Sequence, residues 1–458
     1  MNRRNFIKIT ALSTGVASLG LNYSCSQNNT GINSELVSAF LNPHTEAKPF
    51  TRWWWNGNIL DKNEISRELK IMQQAGVGGV EITPIAMPVE GVKTEGKPIT
   101  WLSDEWLDIL RYTCEEAERL NMKVDMIVGT GWPFGGDFLA PDETIQGIQQ
   151  RVVALDGPGK ETIHEILPAT EYPSGVLQVK LISQNCQSPE EATDLTTQVK
   201  DNQLTLNIPD GKHYLHIIHW RQNYDQVYYG APGGEGPVLD HFNRDAVRKY
   251  LERTSENLNK IFPEGIGQFI RSMFCDSIEL HGANWTGDFS QEFAARRGYV
   301  VEPYLPFVLA KDIEYTQMQK EIASARYDFY NTLSELFHER FLQQFHSWCQ
   351  QIGVKSRYQA YGFPYLYMHM TDGSMVPDIP EGDQFLYNGS WQRNANINDI
   401  RYAVWNKYAA AGGKLAKRPI VSTEAMTNLK GVFKATLALH KQATDLDFAA
   451  GINHPILH

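Results

Sequence analysis

From Thr51 onward the chain alternates short apolar or β-branched runs with amphipathic helical stretches, and this alternation leaves few folds open to it. Strands separated by helices pair in parallel, because the crossover needed to bring the next strand alongside is long enough to form a helix on the sheet face. The first unit is the clearest. Arg52-Trp53-Trp54-Trp55-Asn56-Gly57 reads as a strand, Asp61 and Glu64 stand at capping-box spacing, Ile65, Leu69, Met72 and Ala75 recur on one helical face, and Gly76 stops the helix. Gly79 to Pro84 reads as a second strand, Ser103 caps a helix carrying Trp106, Leu110, Cys114 and Ala117, and Lys123 to Gly131 reads as a third strand. Three such units in about eighty residues have the dimensions of a (β/α)8 barrel.

Between roughly Gln146 and Tyr229 the rhythm breaks. The runs from Val176, Leu204 and Tyr214 read as strands separated by Pro, Gly and Asp turns with no helices between them, which predicts an inserted β-rich module. The barrel resumes with a helix near Asn243 to Ile261, a fourth strand ending Cys275-Asp276-Ser277-Ile278-Glu279, and a long helical hairpin through Phe337, Phe341, Phe345 and Trp348 to Gly353. Further strands are expected at Lys355 to Tyr361, Val376 to Asp383, Pro419 to Met426 and Phe448 to Leu457, with helices near Asn398 to Ala411 and Val432 to Leu446. The expected organisation is therefore barrel over residues 40–145, inserted module over 146–230 and barrel again over 231–458, with the chain read as truncated after its eighth strand.

Composition narrows the function. At 458 residues and 42% hydrophobic content the chain can bury a large core. A formal charge of −11, with no basic run beyond the N-terminus, argues against nucleic acid as a partner. A polar, neutral oligo- or polysaccharide suits it better, and the 11 Trp, many beside Gly, Asn or Pro, are placed as in sugar-stacking surfaces. Residues 1–30 read as a twin-arginine-type export signal: Arg3-Arg4-Asn5-Phe6-Ile7-Lys8, then an apolar run from Ile9 to Leu21. A periplasmic or outer-membrane-associated location follows, with Cys25 as a candidate lipid-anchored residue and the sole membrane attachment expected. Cys114, Cys186, Cys275 and Cys349 show no CxxC spacing and read as buried small hydrophobes. There is no P-loop, GxGxxG, HExxH or GxSxG motif.

In a (β/α)8 barrel the catalytic groups sit at the C-terminal strand ends, which singles out Glu81, Asp125, Asp276, Glu279, Glu381 and Glu424. Glycoside hydrolysis needs two carboxyl groups flanking the scissile bond, one protonated and one ionised. Glu279 after the fourth strand and Glu424 on the seventh are the natural pair, while Glu381, in the turn-rich Pro380-Glu381-Gly382-Asp383, would face the same cavity. Any one such acid could instead cap a helix or pair with Arg, yet a carboxylate on an apolar strand is costly unless paired or functional. Aromatic loops supply the rest: Trp53 to Trp55, Trp132, Trp285, Tyr361 and Phe363 could stack on a pyranose while Asn56, Asn284 and His454 bond its hydroxyls. Strand alternation puts Trp54 opposite Trp53 and Trp55, without fixing which face looks inward. The expected sugar-binding set is Trp54, Asn56, Trp132, Asp276, Asn284, Trp285, Tyr361 and His454.

At these residues the chain resembles the α-L-rhamnosidases of glycoside hydrolase family 106. The resemblance rests on WWWNGN at Trp53 to Asn58, AGVGGVEI at Ala75 to Ile82, GTGWPFGG at Gly129 to Gly136, DSIEL and NWT within Asp276 to Thr286, STEA at Ser422 to Ala425 and GINH at Gly451 to His454, and spans residue 40 to the end. It implies a (β/α)8 domain interrupted by a β-rich insertion, hydrolysis of α-L-rhamnosides with inversion, and an active-site calcium ion. Carried onto this chain it implies Glu279 as general acid, Glu424 as general base, and Glu381 as a base partner or calcium ligand. The chain departs from the family in lacking the C-terminal β-sandwich modules that usually follow the barrel. Two other readings stand beside it: a glycosidase of the same barrel type acting on another sugar, and a non-catalytic carbohydrate-binding lipoprotein.

Overall fold

The computed structural model describes residues 34–88, 96–310, 312–362, 365–387, 400–428 and 435–458. The expected export signal with Cys25, Phe363, and parts of the two helices expected from Asn398 and Val432 lie outside these residues. The chain divides into two units at Lys48; of the first, the described part holds a helix at Ser34–Leu41 and a short turn of helix at Thr45–Ala47.

The second unit, from Pro49, contains eight parallel strands closed into a barrel. In chain order the strands are β1 (Phe50–Asn56), β2 (Gly79–Ile85), β3 (Lys123–Ile127), β4 (Gln146–His164), β5 (Ser174–Ser183), β6 (Thr193–Asp194), β7 (Gln203–Gln222), β8 (Ser272–Cys275), β9 (Lys355–Gln359), β10 (Ile379–Tyr387), β11 (Ser422–Asn428) and β12 (His454–Leu457). The barrel runs β1-β2-β3-β8-β9-β10-β11-β12 and closes where Phe50 and Thr51 of β1 pair with Ile456 and Leu457 of β12. The expected helix starts hold: Asp61 accepts from the backbone N–H groups of Asn63 and Glu64, and Ser103 accepts from that of Trp106. Outward-facing Trp53 and Trp55 pack on the surrounding helices, Trp53 donating to Glu68 at 2.7 Å and Trp55 meeting Trp106 edge-on at 5.6 Å.

Between β3 and β8 lies the inserted antiparallel sheet, ordered β4-β7-β5-β6. Here the chain is more regular than its sequence suggests. The Leu204 and Tyr214 runs form one strand, and β4 pairs with it along almost its whole length although Gly157-Pro158-Gly159 interrupts its apolar pattern. The sheet has its own apolar core around Val179, Leu206, Leu215 and Ile217. It docks on the barrel through buried polar bonds, including His216 Nε2 with the Tyr315 hydroxyl at 2.6 Å and Asn284 with both backbone groups of Ile148.

Three boundaries differ from expectation. The expected hairpin around Phe341 is a continuous helical rod, Gln319–Phe337 and Gln343–Gln351 joined by a π-helical turn at His338–Leu342. The sixth barrel strand runs to Tyr387, so Glu381 sits near its start; Pro380 pairs within the sheet, and a Cβ on Gly382 would lie 2.0 Å from Asn406, so that glycine admits a helix rather than a turn. Phe448 belongs to the helix Leu437–Ala450, which Gly451 ends at φ 106° before the last strand begins at His454. Cys114, Cys186, Cys275 and Cys349 are buried free thiols. No helix among the described residues is long and apolar enough to cross a membrane.

Candidate active site

Barrels of this type usually fill their interior with branched apolar side chains. This one fills it with ions. Period-two alternation sends Arg52, Glu81, Asp125, Arg357 and Glu381 inward from five strands. Arg357 pairs with Asp125 and Glu381 at 3.0 Å each and with Glu81, and Arg271 grips Asp125 from Nε at 2.8 Å and Nη2 at 2.5 Å. Ser422 donates to Glu381 at 2.6 Å. Phe274 gives the layer a flat partner: the guanidinium carbons of Arg52 and Arg357 lie 4.8 and 4.2 Å from its ring centre. These groups form the floor.

Above the floor, toward the C-terminal strand ends, opens a cavity of about 260 Å³. Asp276, Glu279, Asp383 and Glu424 supply its carboxyl groups, Trp54, Trp132 and Tyr361 its rings, and Ile85, Met87, Ile127 and Phe385 an apolar wall. Arg52 links the two levels. It donates to Glu81 at 2.7 Å below, and to Glu424 at 3.0 Å and Asp276 at 3.2 Å above. Glu424 is the most strongly held acid: Thr427 donates to it at 2.5 Å, Gln359 at 3.1 Å, and His458 Nδ1 lies 3.0 Å away. Tyr361 donates to Asp383 at 2.7 Å and Ser277 to Glu279 at 2.9 Å.

The environments drive the four carboxyls apart. Burial alone would raise Glu424, but the charge of Arg52 and the contacts with His458 and Thr427 outweigh it and hold Glu424 well below the usual carboxylate range. Asp383 goes the other way, pushed well up by burial and by the charge on Glu424. Burial raises Asp276 to about 6, with Arg52 opposing. Glu279 is raised by burial and by Glu424, against the Ser277 hydrogen bond, and it alone of the four is only half-buried. Glu424 is thus favoured as the carboxylate, while the more accessible Glu279 is shifted toward holding its proton, the direction of divergence an acid/base pair requires.

Of the residues singled out in the sequence, Glu279, Glu424, Asp276, Trp54, Trp132 and Tyr361 meet in this cavity. The others do not line it. Glu381 is committed to Arg357 and Ser422 in the floor, because its strand continues six residues past it. His454 lies at the other end of its strand, edge-on to Phe50 at 4.7 Å and 3.3 Å from Arg271. Asn56 donates to the Met87 carbonyl, Asn284 ties the inserted sheet to the barrel, and Trp285 packs on Phe289 at 4.8 Å. The sequence reading missed Arg52, Asp383, Gln359, Thr427 and His458. Two of these had a signal: Asp383 shares a strand face with Glu381, and Arg52 shares one with Trp54.

A calcium ion takes six to eight oxygen ligands. Glu381 does not fit that role, since its carboxylate faces Arg357, and among the described residues no group of three or more His, Cys, Asp or Glu is arranged to hold a metal ion.

A comparison with known proteins bears on this architecture. The family described as alpha-L-rhamnosidase matches the chain over residues 41–222 and 169–458. A curated relative from Formosa agariphila, named "Putative beta-glucuronidase", is 23% identical over 368 residues, covering 72% of this chain and 31% of its own. The solved structure of a rhamnosidase from Novosphingobium sp. PP1Y superposes with a TM-score of 0.69 at 17% identity, over 92% of this chain and 56% of that one, and shares its fold. The chain spans about a third of the length of that curated relative and just over half of that solved chain. With the match extending from residue 41 to the last residue, the chain belongs to the alpha-L-rhamnosidase family, glycoside hydrolase family 106.

Proposed function

We propose that this chain is the catalytic barrel of an exported glycoside hydrolase that cleaves α-L-rhamnosides from plant or microbial glycans by an inverting mechanism. The observation that carries the reading is that one cavity brings together Glu424, held by Arg52, Thr427, Gln359 and His458, and the half-buried Glu279, whose carboxyl burial pushes up. Glu279 protonates the departing oxygen, and ionised Glu424 activates water on the opposite face and stabilises positive charge growing at the anomeric carbon. Trp54, Trp132 and Tyr361 offer flat surfaces to the ring, and the wall of Ile85, Met87, Ile127 and Phe385 suits the C5 methyl group of a 6-deoxy sugar. Export rests on the N-terminal signal, and membrane attachment through Cys25 is part of the same reading.

A second sugar is considered because the Formosa agariphila relative is named for glucuronide cleavage. The cavity speaks against a uronate: its basic side chains among the described residues, Arg52 and His458, are both engaged by Glu424, so no cation in its lining is left to pair with a substrate carboxylate. Hydrolysis of a panel of aryl glycosides, with and without a chelator, tests the proposal. Cleavage confined to the α-L-rhamnoside supports it, and loss on chelation would restore calcium. Preference for the glucuronide moves the assignment to another sugar. Sugar binding without turnover by a folded preparation moves it to a non-catalytic binding protein.

A further inference from the structure

Five side chains from four segments form an arc of ring contacts that leaves the cavity and returns to it. Trp132, a cavity residue, lies 6.4 Å from Tyr228; Tyr228 lies 6.2 Å from His281, His281 5.0 Å from Tyr365, and Tyr365 5.8 Å from Tyr361, again a cavity residue. Both ends of the arc line the cavity and its middle does not. His281 is exposed and stands edge-on between two half-buried tyrosines, an arrangement that leaves flat ring surface at the mouth of the barrel. Tyr228 belongs to the segment leaving the inserted sheet, where it is bridged to Trp132 through the backbone, so the insertion supplies one side of the arc and the barrel loops the other. His281 follows Glu279 by only two residues and contacts both tyrosines, which puts the middle of the arc on the acid's side of the site.

Because the general acid protonates the leaving oxygen, whatever surrounds it beyond the sugar cavity faces the leaving group. We propose that Tyr228, His281 and Tyr365 form a leaving-group subsite that binds the second sugar ring of an oligosaccharide, the tyrosines against its apolar face and His281 on its hydroxyls. The subsite makes the chain selective for rhamnose attached to another sugar over rhamnose on a small leaving group. This inference rests on the rhamnoside reading above.

Two substrates separate its failure from the failure of that reading. A rhamnose-terminated disaccharide fills the subsite, whereas rhamnosyl fluoride has no leaving-group ring. The ratio of kcat/KM for disaccharide to that for fluoride is expected to fall about tenfold in His281→Ala and in Tyr365→Ala, the size of one ring contact, and to recover in Tyr365→Phe. Equal losses on both substrates, or none, would overturn the subsite. Calorimetric titration of Glu279→Gln protein reads the same contact without turnover: the disaccharide should bind more tightly than free rhamnose, and the two variants should remove that advantage. A wild type that hydrolyses neither substrate but keeps the advantage sinks the rhamnosidase reading alone, and absence of the advantage sinks the subsite.

Discussion

The floor of the barrel and the cavity above it are built from the same residue types in one barrel, yet they are electrostatic opposites. In the floor, Glu81, Asp125 and Glu381 meet Arg52, Arg271 and Arg357, so buried charge is matched nearly one for one. In the cavity, four carboxyls, those of Asp276, Glu279, Asp383 and Glu424, are lined up with one guanidinium, that of Arg52, which bridges Asp276 and Glu424. Matched charges make structure; unmatched ones must either take up protons or find a substrate. The same alternation that packs one level therefore loads the other for acid/base chemistry.

The largest effect should come from the unmatched level. Glu279→Gln and Glu424→Gln are each expected to lower turnover on an aryl α-L-rhamnoside by about a thousandfold, with melting temperature changed much less. The matched level should respond the opposite way: Glu381→Gln leaves Arg357 short of a partner in a buried site and is expected to cost about 3 kcal/mol of stability, read by urea unfolding. Similar stability losses in all three variants would erase the distinction between the levels.

Arg52 spans both, and pH reads it. Since Glu424 must be ionised and its carboxyl is held low, kcat/KM in the wild type should rise with pH through a limb below the ordinary glutamate value of about 4.3, and fall through a limb above it as Glu279 loses its proton. Arg52→Gln removes the cation that stabilises ionised Glu424, so the acidic limb should move up by about one to three pH units. An unmoved limb would assign it to another group. The smallest change, Tyr361→Phe, removes one hydrogen bond to Asp383 and should cost a few-fold in kcat/KM, about 1 kcal/mol.

How far the sequence carried can be judged from particular residues. Helical periodicity and caps marked Asp61 and Ser103, and strand runs located all eight barrel strands, because those signals are local. Strand β4 escaped because a Gly-Pro-Gly break hides a pairing that only its partner β7 reveals. In the site, looking for acids at strand ends found Glu279, Glu424 and Asp276 but also Glu381, whose depth in the barrel depends on where its strand stops. Arg52 and His458 were out of reach of that rule. A basic residue gains its role here only from carboxylates on other strands, and the sequence does not order those contacts in space.

The central claim is the division of labour between Glu279 and Glu424, and hydrolysis of α-L-rhamnosyl fluoride by the two glutamine variants tests it most directly. Fluoride departs with little help from an acid, so Glu279→Gln should retain most of its kcat/KM on this substrate while Glu424→Gln loses about a thousandfold. Equal losses in the two variants, or the reverse order, would contradict the account.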